Sequence, residues 1–441
     1  VSLRECHKLL ALYLIECAAM TEQRREAVRS RALRRMVRHA YRRVPYYRRL
    51  FDEHGIDPRS IRGVADLACI PVTRKQDILT LPAENLVAEG VDPERLFQIS
   101  TSGSTGQPLT IRRTWAEQKV TALRALYAHF REGLRPTDMR VAVSLSRRRE
   151  GQRRSAPKRL LSPLGIGRGR HVDCALPREE IMRRLRRLRP DHLGGYAGVI
   201  ADLAARSTPA DREAIRPRMV AVNSELLTPG MRQTITDVFG VEPFDRYGCH
   251  ELGLLAWECR EAHGLHLGRF GTICEILSDG RPARAGETGR LIGTSLYCAA
   301  MPFIRYDTGD AVTFAGNRCR CGARVPALSH IDGRTIHFFP LPGGDRLHAY
   351  EIVKPLKASA PWMLQFQIVQ EGPRAITVRL VPRPPGKGGD IESVRSDLQA
   401  AVGDRVLIQV CTVERIDPDP RTGKFPVFVP AAVPPTVPDS A

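Results

Sequence analysis

The sequence predicts an α/β protein: a large N-terminal domain of mixed and parallel sheets, followed by a small α+β domain. Three observations carry that prediction. Short apolar runs such as Val141–Leu145 and Val220–Val222 alternate with helix-patterned segments, the signature of parallel strands joined by helices. From about Leu265 the pattern turns β-rich, through Ile273–Leu277, Gly289–Thr294 and Val312–Phe314. Behind Gly333 a smaller unit has strands at Phe366–Val369 and Ile376–Leu380 and a helix near Ile391–Val402. The expected boundaries are 1–332 for the large domain, 333–430 for the small one, and 431–441 for a proline-rich tail that reads as disordered.

Each element has a local reason. Between Thr21 and Leu50, the residues Leu33, Met36, Val37, Ala40 and Tyr41 fall on one helical face, and Pro45 interrupts the run. Residues 63–80 read as a helix and an extended arm. Leu96–Ile99 and Leu109–Ile111 are β-like and flank a loop, and residues 114–133 return to helical spacing. Helices are also expected at Glu179–Leu188, at Ile200–Ala205 after Gly194-Gly195-Tyr196, and at Pro229–Phe239. Pro382–Gly389 reads as a loop of the small domain. No internal repeat is evident.

Composition bounds the function. The chain has 441 residues, 42% hydrophobic and 26% charged, as in ordinary globular proteins. No run of about 18 apolar residues suggests a membrane span. Val1–Met20 contains an apolar patch, Leu9–Ile15, without a dense basic start or a cleavage site, so it does not read as a signal peptide. The expected location is therefore cytoplasmic, where the eleven cysteines would be thiols or metal ligands. The net charge of +20 invites a nucleic-acid reading. Runs such as Arg147–Arg149 and Arg183–Arg187 lack interleaved aromatics, so a solvated arginine-rich surface is expected instead.

The stretch Ser100-Thr101-Ser102-Gly103-Ser104-Thr105-Gly106-Gln107-Pro108 is the chemical focus. Glycines free the backbone to aim N–H groups at one point, and five hydroxyls add donors, an arrangement suited to polyphosphate. It lacks the P-loop order. The same composition also builds flexible linkers. A strand on either side favours a loop pinned at both ends.

Five segments in order resolve the ambiguity: this loop, Tyr247-Gly248-Cys249-His250-Glu251, Arg305-Tyr306-Asp307-Thr308-Gly309-Asp310, Gly333-Arg334 and Arg421-Thr422-Gly423-Lys424. The pattern resembles the adenylate-forming superfamily of acyl-CoA ligases, most closely its phenylacetate–CoA ligase/CapK-like branch. The likeness extends to Val37–Tyr41, Val44–Arg48, Gly55–Pro58, Asp66-Leu67 and Ile70–Val72, and covers essentially residues 30 to 428.

The resemblance implies ATP-dependent activation of a carboxylic acid to an acyl-adenylate, then transfer to CoA. By it, residues 100–106 would hold the β- and γ-phosphates, Glu251 the Mg²⁺, and Asp310 the ribose hydroxyls. Tyr247 and Gly248 would face adenine, with Asn223, Ser224 and Glu225 lining the base pocket. Arg334 would pair with phosphate or ribose at the hinge into the small domain, and the active site would lie between the two domains. Lys424 would bring positive charge to the reacting carboxylate and α-phosphate. Relatives are often dimers, so a homodimer is among the expected assemblies.

Three departures are visible. Leu109 follows Pro108 where many relatives carry lysine. His250 stands where relatives usually carry a threonine on the α-phosphate. Thr335–Phe339 replaces the acidic residues and glycine-rich turn expected after Gly333-Arg334. The altered hinge and the basic loop 147–158 motivate an amide ligase with an amine acceptor as an alternative. From another class, an inactive ligase fold could bind nucleic acid or anions.

Cys259, His266, Cys319 and Cys321 form a separate group, with His263 competing for the histidine role. Three thiolates and an imidazole suit tetrahedral Zn²⁺, and similar residues occur in part of the branch. Structural zinc and unliganded buried thiols are the two readings.

Overall fold

The computed structural model describes residues 21–101, 108–145, 168–259, 261, 264–268, 271–334, 338–342, 345–384 and 389–429. Val1–Met20, residues 102–106 of the Ser/Thr/Gly loop, Arg147–Lys158, His263, Thr335–His337 and the 431–441 tail lie outside the described residues. The chain forms two compact units that interleave in sequence: 1–133 with 246–331, and 134–245 with 332–441.

The first unit opens with the helix Glu22–Arg43, capped by the Thr21 hydroxyl. Leu33, Met36, Val37 and Ala40 are buried on the expected face. Val44 turns extended and Pro45 starts the helix Pro45–Glu53, because proline tolerates the first helical position. Both helices share a core with Phe303, Ile304 and Tyr306. The sheet runs through Arg281–Pro282, Thr272–Ser278, Thr288–Ser295, Tyr306–Gly316, Ala327–Arg334, Leu265–Leu267, Gly253–Glu258 and Phe244–Cys249. Phe97–Ser100 pairs antiparallel with Thr110–Arg113, so the expected strand–loop–strand is present. Thr101 N–H donates to the Leu109 carbonyl at 2.9 Å, and Leu109 N–H to the Thr101 hydroxyl at 3.0 Å. The loop between is pinned at both ends.

The helix Trp115–Arg131 starts with a reciprocal Thr114–Glu117 capping box and leads to Glu132. There the Glu132 carboxylate accepts from two of the three Arg246 guanidinium nitrogens, Nε at 3.0 Å and Nη2, and both side chains are buried. Removing one partner of such a pair leaves a buried charge uncompensated. Glu132→Ala is therefore expected to lower unfolding free energy by about 3–5 kcal/mol in denaturant titration.

The second unit contains a parallel sheet of Gly169–Asp173, Arg140–Ser144, His192–Tyr196 and Met219–Asn223, in that order. The helices Ala197–Ala205 and Pro229–Phe239 pack in its core. A second sheet orders Leu407–Thr412, Ala375–Pro382, Met363–Gly372 and Phe428–Val429, with the helices Tyr350–Ser359 and Ile391–Val402 in the same apolar cluster. Gly230 allows close packing here, since a Cβ would come 1.9 Å from the Met363 carbonyl oxygen. The Thr228 hydroxyl donates to the Leu364 carbonyl at 3.1 Å. No described helix is long and apolar enough to cross a membrane.

Candidate active site

In the first unit, two carboxylates are each oriented by a tyrosine. Glu251 lies in the turn joining the antiparallel strands Phe244–Cys249 and Gly253–Glu258. It is buried and accepts the Tyr306 hydroxyl at 2.9 Å. Arg113, ending the strand behind the Ser/Thr/Gly loop, donates to the carbonyls of His250 and, at 3.3 Å, Glu251. The loop's hairpin and the Glu251 turn are thereby tied together. The His250 residue itself is exposed.

Asp310 accepts the Tyr247 hydroxyl at 2.6 Å. Burial first, and then the Asp310 charge, push the Tyr247 phenol well above its ordinary pKa, so it stays a donor. Gly309 turns with φ +73 and donates its N–H to Asp307 at 2.9 Å, while Asp310 N–H reaches the Thr308 hydroxyl at 3.2 Å. These local bonds aim the Asp310 carboxylate. Gly248 sits at the register shift next to Tyr247, where a Cβ would come 2.4 Å from the Gly253 carbonyl oxygen.

In the second unit, Asn223 ends a parallel strand and Ser224 turns the chain with φ +67. The Ser224 hydroxyl donates to Asn223 at 2.8 Å. Glu225 then accepts the N–H of Gly198 and of Phe425, each at 2.7 Å. Burial pushes its carboxyl up to about 7, against the opposing effects of those two N–H groups and Lys424. Lys424 stands on a turn closed by its own backbone: Gly423 N–H to the Asp419 carbonyl at 2.7 Å, and Asp419 N–H to the Lys424 carbonyl at 2.8 Å. Its ammonium lies 5.4 Å from the Tyr196 ring centroid, within cation–π range. Gly333 takes φ +112 beside Arg334, which ends the strand Ala327–Arg334.

Ser100 and Thr101 stand where the described hairpin meets the loop. Tyr306, Arg113, Gly198 and Phe425 are supporting residues that the motifs alone did not single out for a role. Tyr306 lay within a motif; Phe425 followed one directly.

The Cys/His residues converge in the first unit. One ligand atom each from Cys259, His266, Cys319 and Cys321 lies within 4.8 Å of the others. The Cys259 and Cys319 sulfurs are 3.7 Å apart, and Cys321 Sγ is 3.6 Å from His266 Nε2. Tetrahedral zinc, with bonds of about 2.3 Å to sulfur and about 2.05 Å to nitrogen, spaces two sulfurs by about 3.8 Å and sulfur from nitrogen by about 3.6 Å. The geometry and donor set fit that ion. Burial, and secondarily Arg131, hold His266 below its ordinary pKa, favouring the neutral ligand form.

Several solved ligases share this architecture. Over 93% of this chain and 90% of that one, the structure superposes on 2-hydroxyisobutyryl-CoA ligase in its postadenylation state with a TM-score of 0.74, at 19% identity. The anthranilate CoA ligase AuaEII in complex with anthranoyl-AMP covers 77% of this chain and 67% of its own, with a TM-score of 0.52 and 16% identity. The fold is that of the adenylate-forming ligases. In sequence the chain is related to phenylacetate-coenzyme A ligases. That of Thermus thermophilus is 28% identical over 336 residues, 74% of this chain and 73% of its own. That of Aromatoleum evansii is 25% identical over 439 residues, 91% and 94% of the two chains. No family model matches the chain.

Proposed function

We propose that this adenylate-forming ligase activates a carboxylic acid with ATP and passes the acyl group to CoA. The observation that carries the reading is the pair of tyrosine-oriented carboxylates, Glu251 and Asp310, at the two positions the family pattern assigns to Mg²⁺ and ribose. In the first half-reaction an oxygen of the acid attacks the α-phosphorus of ATP, and the bond to pyrophosphate breaks. In the second, the thiol sulfur attacks the acyl carbon and AMP leaves.

The chain's own groups have distinct tasks. Asp310, with one oxygen held by Tyr247, offers acceptor capacity to the paired ribose hydroxyls. Residues 100–106 supply backbone and hydroxyl donors to the β- and γ-phosphates, and Arg334 pairs with phosphate or ribose. Asn223, Ser224 and Glu225 border the base, and His250 donates toward the α-phosphate. Lys424 brings an ammonium to the charge that develops as the acid attacks. Glu251 would hold Mg²⁺, a hard cation suited to its carboxylate, which would supply charge neutralisation at the phosphates. Residues 333–430 turn as a body about Gly333 between the half-reactions. Cys259, His266, Cys319 and Cys321 would hold a structural Zn²⁺, all four positions being filled by protein ligands.

The test is pyrophosphate release from ATP and Mg²⁺ across a panel of acids, beginning with phenylacetate, with and without CoA. The expected result is one acid class that drives release, with sustained turnover only when CoA is present. Turnover sustained by amines in place of CoA assigns the amide chemistry instead. ATP binding with no release for any acid in a broad panel, or no ATP binding, rejects the proposal.

A further inference from the structure

Resting on the reading that Lys424 acts in adenylation, we propose that Glu225 is a positioning residue: its carboxylate clamps the Lys424 turn onto the start of the helix Ala197–Ala205. The base-pocket role expected for Glu225 needs only that it face a nucleotide. The structure gives it a second task. One oxygen takes the Gly198 N–H and the other takes the Phe425 N–H, so one carboxylate bridges the first helical turn and the residue after Lys424. Two hydrogen bonds from fixed backbone donors leave the Glu225 carboxyl little rotational freedom, and they strengthen once it is ionised.

The neighbouring residues are shaped for the same contact. At Gly198 a Cβ would lie 2.5 Å from the Phe425 ring, so only a bare backbone lets that ring rest on the helix start. Gly423, on the other side of Lys424, has φ +66, and a Cβ there would come 2.7 Å from the Cys174 sulfur and 3.2 Å from Leu145 Cβ. Both glycines permit close approaches that a side chain would obstruct. Tyr196, immediately before the helix, sits beneath the Lys424 ammonium at 5.4 Å from its ring centroid. The residues flanking Lys424 are therefore seated by backbone and carboxylate contacts, while its charged end rests over an aromatic face. Loss of Glu225 releases the turn and misplaces the ammonium without removing it.

Hydrogen exchange and trypsin cleavage of the full chain test this. In Glu225→Ala the Phe425 amide is expected to exchange about tenfold faster or more, the effect of losing a charge-assisted hydrogen bond. Cleavage after Lys424 should accelerate alongside, while amides of the strand Met363–Gly372 keep their protection. Gly198→Ala keeps the carboxylate but pushes the Phe425 ring away, and serves where Glu225→Ala does not fold; it should loosen the same turn. Unchanged Phe425 exchange in a folded variant overturns the proposal. With an acid that supports turnover, Glu225→Ala should lower kcat for pyrophosphate release, whatever its place beside the base adds to KM for ATP. A raised KM for ATP with unchanged kcat returns Glu225 to the base pocket alone. The adenylation reading fails separately, if Lys424→Ala retains full activity, and the exchange data still report on the clamp.

Discussion

Lys424→Ala is expected to reduce acid-dependent pyrophosphate release by on the order of 10²–10³-fold, the scale of removing one preorganised donor from a developing charge. The turn that carries the lysine is closed by main-chain groups. Gly423 and Asp419 close it through backbone bonds, and Phe425 is held by its N–H on Glu225. The substitution removes the contact with Tyr196, worth about 0.5–1 kcal/mol at an accessible site, and the favourable charge beside Glu225. Thermal stability should therefore move little while kcat collapses. Arginine is a poor substitute, since its planar fork presents charge differently from a compact ammonium. Lys424→Arg should remain strongly impaired. Because the charge is needed as the acid attacks phosphorus, supplied acyl-adenylate should still react with CoA in Lys424→Ala. Equal rates for wild type and Lys424→Ala in pyrophosphate release would falsify the assigned role.

The elements legible from sequence were those with local punctuation. The helix Pro229–Phe239 begins with proline at its first turn and ends at Gly240, whose φ of +71 stops it, so its limits were read directly. The helix Tyr350–Ser359 was missed because Pro355 lies inside it and argues against a helix when only sequence is seen. The edge strand Gly169–Asp173 was missed for a different reason: only Val172 is buried, leaving no alternating apolar signal. Both missed elements are stabilised by tertiary partners rather than by their own patterns.

The candidate site divides in the same way. Glu251, Asp310 and Lys424 lie in short motifs whose residue types and order are visible along the chain. The groups that orient them are distant in sequence. Tyr247 meets Asp310 across 63 positions and Glu225 meets Phe425 across 200. No local period encodes such pairings; they exist only once strands and turns have placed the backbone. Residues 134–245 and 332–441 likewise form one compact unit although they are distant in sequence.

The second large effect concerns the proposed zinc. Structural zinc sites contribute binding free energies of roughly 10 kcal/mol or more to the folded state at neutral pH, so removal should destabilise the chain by several kcal/mol. Cys319 and Cys321 are half-buried, and Gly322 takes φ +86 directly after the second of them. Backbone bonds from Cys319 to Ala323 and from Gly322 to Cys319 close the turn locally. Its attachment across 60 positions rests on the Cys259–Cys319 approach and its neighbours. Protein prepared without chelator should contain about one zinc per chain by elemental analysis. Chelation, or Cys321→Ser, should remove the metal, lower the unfolding midpoint and accelerate exchange around Cys319–Gly322. Cys69→Ser, which replaces an exposed thiol outside the cluster, should change none of these. If preparations lack metal, and added Zn²⁺ alters neither midpoint nor thiol titration, the four residues form a group of buried and half-buried thiols beside a neutral histidine.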